Sequence, residues 1–161
     1  MPSPAPRLSF DVVIATRNRP QALALSVPLI LAQSRQPAAL IVIDSSQDHE
    51  PVARVVADAC AGWHGRLVVE HSAPGLPFQR NRGLAHVRAD VVIFPDDDSL
   101  FHPGTSEAIM AAYERDRDGA IAAVCAAEAA APPAGVDLGG DYTMSAAHRR
   151  EAGTRRLRNR I

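Results

Sequence analysis

The stretch VVIFPDDDSLFHPG (Val91–Gly104) sets a run of apolar residues directly against three adjacent carboxylates. VVIF reads as a buried strand. Asp96, Asp97 and Asp98 follow after one proline, and three neighbouring carboxylates repel one another unless a counter-charge joins them. In an open α/β sheet, ligands sit beyond the carboxyl ends of the strands. The position of the triplet therefore points to a site rather than to a solvated turn, provided the rest of the chain builds such a sheet.

Working outward, short apolar runs alternate with longer helical patterns. FDVVIA (Phe10–Ala15), LIVID (Leu40–Asp44), RLVVEH (Arg66–His71) and DVVIF (Asp90–Phe94) read as strands, and AIAAVCA (Ala120–Ala126) as a fifth. Between them, QALALSVPLILAQ is expected to be a helix that Pro28 kinks or opens. PVARVVADACAG fits an amphipathic helix closing at Gly62. LPFQRNRGLAHV fits a third, with Gly83 a weak point, and PGTSEAIMAAYERD a fourth. APPAGVDLGGD reads as a loop and MSAAHRREAGTRRLRNRI as helical. The alternation predicts an α/β fold with a mostly parallel sheet and helices on both faces. Residues 1–8 are expected to be disordered, 9–131 to form the α/β domain, and 132–161 to be a loop and basic segment. The strand ends then carry Thr16 after the first strand, Asp44 after the second and the aspartate triplet after the fourth.

The 161 residues suit one domain with one core. All 17 basic residues are arginine. The chain therefore has no Schiff-base lysine, lysine general base or P-loop lysine. Neither GxGxxG nor GxxxxGK[ST] occurs, so the usual glycine cradles for phosphate are absent. Cys60 and Cys125 have no metal-ligand spacing and read as buried thiols in a reducing compartment. MPSPAPRLSF lacks the apolar core of a signal peptide, and no run reaches the ~18 apolar residues that span a bilayer. A cytoplasmic location is expected, peripheral on the inner face of the membrane if the tail attaches there. That tail, residues 149–161, holds six arginines against one glutamate. It suits an anionic membrane or a protein partner. A solvated helix face or frayed end is the plainer reading, and no nucleic-acid partner is expected.

Clustered carboxylates at a strand end bind a hard cation, act as a nucleophile or cap the next helix. Capping is a poor account, because Asp98 lies several residues before the helix near Pro103. A phosphatase of the haloacid-dehalogenase type would need aspartates two apart and a threonine two further on. Asp96 and Asp98 have the first spacing, but Ser99 falls one residue early and the basic partner, usually lysine, is missing. His102 reads as a loop residue rather than a metal ligand, and Trp63 as a packing residue at a helix end.

The ordered set VVIATRNRP, LIVIDSSQD and GLPFQRNRGLAHVRADVVIFPDDDSLFHPG resembles family 2 glycosyltransferases of the GT-A fold, from about Phe10 to Gly104. The resemblance implies that Asp96 and Asp98 are the ends of a DxD motif binding a nucleotide-diphosphate sugar through Mn²⁺ or Mg²⁺. Asp98 is then the direct metal ligand with Asp96, and Asp97 assists. It further implies that Asp44 accepts a hydrogen bond from the base, typically uracil N3–H, that Thr16 lies beside that base, and that Arg80 lies by the nucleotide. For the residues alone, plainer roles stay open: a turn aspartate sharing Ser45 and Ser46, a loop hydroxyl and a solvated helix arginine.

The implied partners are a UDP-sugar or other NDP-sugar donor and an unidentified glycan, lipid or protein acceptor. An inverting hexosyl transfer also needs a general base for the acceptor hydroxyl. DYTMSAAHRREAG resembles the segment just upstream of that base, but no Glu-Asp pair follows, and Asp137, Asp141 and Glu151 do not match the motif. The expectation is a nucleotide-sugar-binding part truncated before the acceptor region. The competing expectation is a non-catalytic remnant or scaffold using the basic tail.

Overall fold

The computed structural model describes residues 7–127, 129 and 131–138. Strands and helices alternate in the order β1 (Phe10–Thr16), α1 (Pro20–Leu31), β2 (Ala39–Asp44), α2 (Glu50–Ala59), β3 (Arg66–His71), α3 (Leu76–Leu84), β4 (Val91–Ile93) and α4 (Thr105–Arg115). The strands form one sheet in the order β3-β2-β1-β4, every pair parallel. The α/β expectation therefore holds.

The strand order positions the site. The chain moves outward from β1 to β3, then returns to lay β4 on the other side of β1. Crossovers of one hand that reverse direction must put their helices on opposite faces. One face accordingly packs Val12, Ile14, Leu40 and Val42 against Leu23 and Val27 of α1, Val56 of α2 and Met110 of α4. The other buries Val13, Ile41 and Ile43 on the side that α3 covers. Both residue sets of β1 and β2 are buried, which is why these strands read as unbroken apolar runs rather than as an alternation. The reversal also leaves a switch point between the carboxyl ends of β1 and β4.

Local features depart from the sequence expectations for identifiable reasons. The proline of the first turn is Pro20, and Pro28 lies inside α1. The helix carries on beyond it, with Ala32 N–H donating to the Pro28 carbonyl at 2.8 Å. Gly83 is not a weak point but the place where α3 touches the sheet: a Cβ there would lie 2.3 Å from Val13 Cγ1. The fifth strand at Ala120–Ala126 does not form. Two of its backbone donors are taken by α4 and the residue after it, Ile121 N–H by Asp116 Oδ2 at 2.5 Å and Val124 N–H by the Tyr113 hydroxyl at 3.1 Å. Cys60 is half-buried, and burial pushes its thiol up; Cys125 is exposed, contrary to the buried thiol expected. Trp63 packs against the larger core. The expected helix at Met144–Ile161 and the basic tail lie outside the described residues. Among the described residues, no helix is long and apolar enough to cross a membrane.

A buried carboxylate fixes the approach to β4. Asp11, 1% exposed, accepts hydrogen bonds from the backbone N–H groups of Arg88 and Ala89 at 2.8 and 3.2 Å. The Arg66 guanidinium stands 3.8 Å away. The loop before β4 is thereby tied to β1, and the aspartates after β4 fall opposite Thr16.

Candidate active site

An open crevice of about 350 Å³ lies at the carboxyl ends of β1 and β4, with Thr16, Arg19, Gln79 and all three aspartates in its wall. The triplet is not uniform. Asp97, the middle residue, points inward and is 6% exposed. Its Oδ2 accepts from Thr16 Oγ1 at 2.8 Å, its Oδ1 from Arg19 at 2.6 Å, and its backbone carbonyl from Ser26 Oγ of α1 at 2.7 Å. Burial pushes its carboxyl above the ordinary range. The Thr16 hydroxyl and the Arg19 guanidinium act against that rise, and Asp98 and Asp96 add to it. Asp96 and Asp98 point outward on either side. A tight turn holds them there, with Ser99 N–H donating to the Asp96 carbonyl at 3.0 Å and Asp96 N–H to Ser99 Oγ at 3.1 Å.

Two arginines supply counter-charge to the triplet. Arg19 is a fork between two carboxylates, its second nitrogen 2.8 Å from Asp98 Oδ2. Arg80 reaches from α3 to Asp96 Oδ1 at 3.1 Å. Arg19 can do this because the preceding residue, Asn18, turns the chain in the left-handed region at φ 55°, which asparagine tolerates better than most residues. Asn18 also binds the loop after β2. Its N–H donates to Ser46 Oγ at 2.7 Å, its Nδ2 to Gln47 Oε1 at 2.6 Å, and its Oδ1 accepts from Gln47 N–H at 3.2 Å.

Asp44 ends β2 in register with Thr16 and is 1% exposed. Its Oδ1 accepts from Ser46 N–H at 2.9 Å and from Ser46 Oγ at 2.5 Å, so the turn role is present on that oxygen. Its Oδ2 is buried and has no partner. An unsatisfied buried acceptor costs about 1–3 kcal/mol, so an incoming N–H donor would be stabilised there. The structure thus brings Thr16, Asp96, Asp97 and Asp98 together in the crevice wall. Arg80 reaches in only through Asp96, and Asp44 sits one strand away from the wall.

Gln79 and Arg19 carry roles that the sequence left unread. Gln79, buried on α3, donates from Nε2 to the carbonyls of Thr16 at 2.9 Å and Ile43 at 2.8 Å. It ties the ends of β1 and β2 together. A glutamine in the first turns of a helix gives no sequence signal for this, because the two carbonyls come from other elements. His102 Nε2 lies 3.1 Å from the Ala131 carbonyl, away from the carboxylates. Among the described residues no group of three or more histidine, cysteine or acidic side chains is placed to hold a metal alone. Two exposed carboxylates nevertheless fit a hard cation that takes its remaining oxygens from a ligand's phosphates and from water. The late acids Asp141 and Glu151 lie outside the described residues.

The crystal structure of S. aureus TarS is similar to the chain at 22% identity with a TM-score of 0.48, over 56% of this chain and 17% of that one. No significant match is found among curated proteins. The family model of glycosyl transferase family 2 matches residues 11–133, which include β1 from its second residue, β2 to β4, α1 to α4, and every residue of the crevice wall. By that match over most of its length, the chain belongs to glycosyl transferase family 2.

Proposed function

We propose that the chain is the donor-binding part of a glycosyltransferase that holds a UDP-sugar, or another NDP-sugar, at the ends of β1, β2 and β4 for inverting hexosyl transfer to an acceptor hydroxyl. The observation that carries this reading is the buried, unpartnered Oδ2 of Asp44 one strand from a carboxylate-lined crevice. Uracil N3–H is a donor of the kind that oxygen lacks. Thr16 and Gln79 fix the strand ends on which base and ribose would rest, and Asp97 anchors the turn that presents Asp96 and Asp98.

Asp98, with Asp96, would hold Mn²⁺ or Mg²⁺, whose charge offsets that of the donor diphosphate. Arg19 and Arg80 stand at the same carboxylates and can turn to phosphate oxygens, which guanidinium groups bind through paired hydrogen bonds. Transfer would break the anomeric carbon–oxygen bond to the nucleoside diphosphate and form one to the acceptor oxygen. The acceptor proton would pass to a general base that the described residues are not assigned to supply. Residues 9–131 are proposed as the donor-binding unit, and 132–161 as the start of the acceptor side.

Titration calorimetry with UDP, with and without Mn²⁺, tests the proposal. Mn²⁺-dependent binding that weakens at least about tenfold in both Asp98→Ala and Asp44→Ala is expected, a loss of about 1.4 kcal/mol in each. Absent binding, or binding indifferent to both substitutions, would sink it.

A further inference from the structure

We infer that Arg19 is a tethered counter-ion of the aspartate triplet that competes with a divalent cation, so that the cation enters as Arg19 leaves. This rests on the donor-site reading above. The guanidinium spans Asp97 Oδ1 at 2.6 Å and Asp98 Oδ2 at 2.8 Å. A second positive ion ligated by the same Asp98 oxygen would meet it at like-charge contact distance, a repulsion that solvent at this half-exposed site weakens without removing. The two therefore compete for that oxygen.

The two carboxylates that Arg19 bridges differ in freedom. Asp97 is buried and bound by Thr16, whereas the side chains of Asp98 and Arg19 are 41% and 51% exposed. The arginine can therefore swing out while the middle aspartate stays. It would remain within the crevice, whose wall it forms, and there a diphosphate offers oxygens suited to its fork. Donor phosphates would draw Arg19 off the triplet and so open Asp98 to the cation. Cation and nucleotide would then bind cooperatively, with weak cation affinity in the absence of nucleotide. Arg80 makes a single contact with Asp96, whose side chain is 70% exposed, and so blocks less.

The test is the Mn²⁺ affinity of the nucleotide-free protein, read from the electron paramagnetic resonance of free Mn²⁺, for the parent, Arg19→Gln and Arg19→Lys. Removing a positive residue from a nucleotide-binding crevice would ordinarily weaken ligand binding. Here Arg19→Gln should bind Mn²⁺ alone about tenfold more tightly, and should lose most of the extra Mn²⁺ affinity that UDP confers on the parent. Arg19→Lys keeps the charge but can hold only one carboxylate closely, and should fall between the two. It decides the matter if Arg19→Gln does not fold. Equal or weaker Mn²⁺ affinity in the variants overturns the inference. If the parent shows Mn²⁺-dependent UDP binding and the variants leave Mn²⁺ affinity unchanged, only this inference fails. If the variants tighten Mn²⁺ but no form binds UDP, the donor-site reading fails and the counter-ion role stands.

Discussion

Gly83→Ala tests the contact between α3 and the sheet, and through it the crevice. The added Cβ would sit 2.3 Å from Val13 Cγ1, whereas carbon atoms rest at about 3.5–4.0 Å. The gap must open by roughly 1.2 Å or more, and Val13 is buried in the sheet with nowhere to retreat. Alanine favours a helix interior over glycine by about 1 kcal/mol, and overpacking costs about 1–3 kcal/mol. A net loss of about 1 kcal/mol in urea unfolding is expected. Gln79 stands one turn earlier on the same helix, with hydrogen bonds of 2.9 and 2.8 Å to the Thr16 and Ile43 carbonyls. If α3 backs away by about 1 Å, both pass out of hydrogen-bonding range, so UDP affinity should fall as well. Val13→Ala alone should cost about 2 kcal/mol through lost burial and a cavity. Combined with Gly83→Ala it should show a favourable coupling of about 1 kcal/mol or more, since each relieves the other. A Gly83→Ala protein as stable as the parent or more so, with no coupling to Val13→Ala, would refute the reasoning.

Thr16→Val keeps shape but leaves Asp97 Oδ2 without its hydroxyl donor. A loss of about 1.5–3 kcal/mol is expected, the range for a hydrogen bond to a charged group, visible in thermal denaturation as a clear drop in Tm. Gln79→Leu removes both bonds from α3 to the ends of β1 and β2 and should lower stability by about 2 kcal/mol and weaken UDP binding, measured by urea unfolding and calorimetry on the same sample. The Glu70 carboxyl is held below its ordinary value near 4.5 by His86 at 2.6 Å and by Arg82. The unfolded chain therefore binds that proton more readily, so the stabilisation is full above about pH 4.5 and is lost as pH falls through the lower folded value. Glu70→Gln should flatten that part of the stability–pH curve in urea unfolding, and an unchanged acid limb would refute it.

The alternation of strands and helices was legible because β1 and β2 are buried on both faces and leave long apolar runs. The aspartate triplet was legible as a strand-end feature for the same reason. Ala120–Ala126 misled because composition resembles a strand while pairing depends on free donors, and Asp116 and Tyr113 occupy two of them. Gly83 misled in the other direction: intrinsic propensity marks glycine as a weakness, but only the packed helix reveals what lies 2.3 Å from its missing Cβ. The roles of Gln79 and Arg19 depend on partners 36 to 79 positions away in the chain, beyond the reach of any local pattern. Asp97 lay between the two motif positions and gave no sign that it would be the buried one.

The burial of that middle aspartate divides the triplet into two kinds of constraint. Substitutions at Asp97 would act first on the amount of folded protein, since its carboxylate's bonds to Thr16 and Arg19 fasten the turn to β1 and to the residue that precedes α1. Those at Asp96 and Asp98 would leave abundance nearly untouched and act on ligand affinity. A saturation library sorted once for cellular abundance and once for nucleotide capture should therefore split three consecutive identical residues into opposite columns. Three letters that look alike in the sequence would report on two separate properties of the molecule.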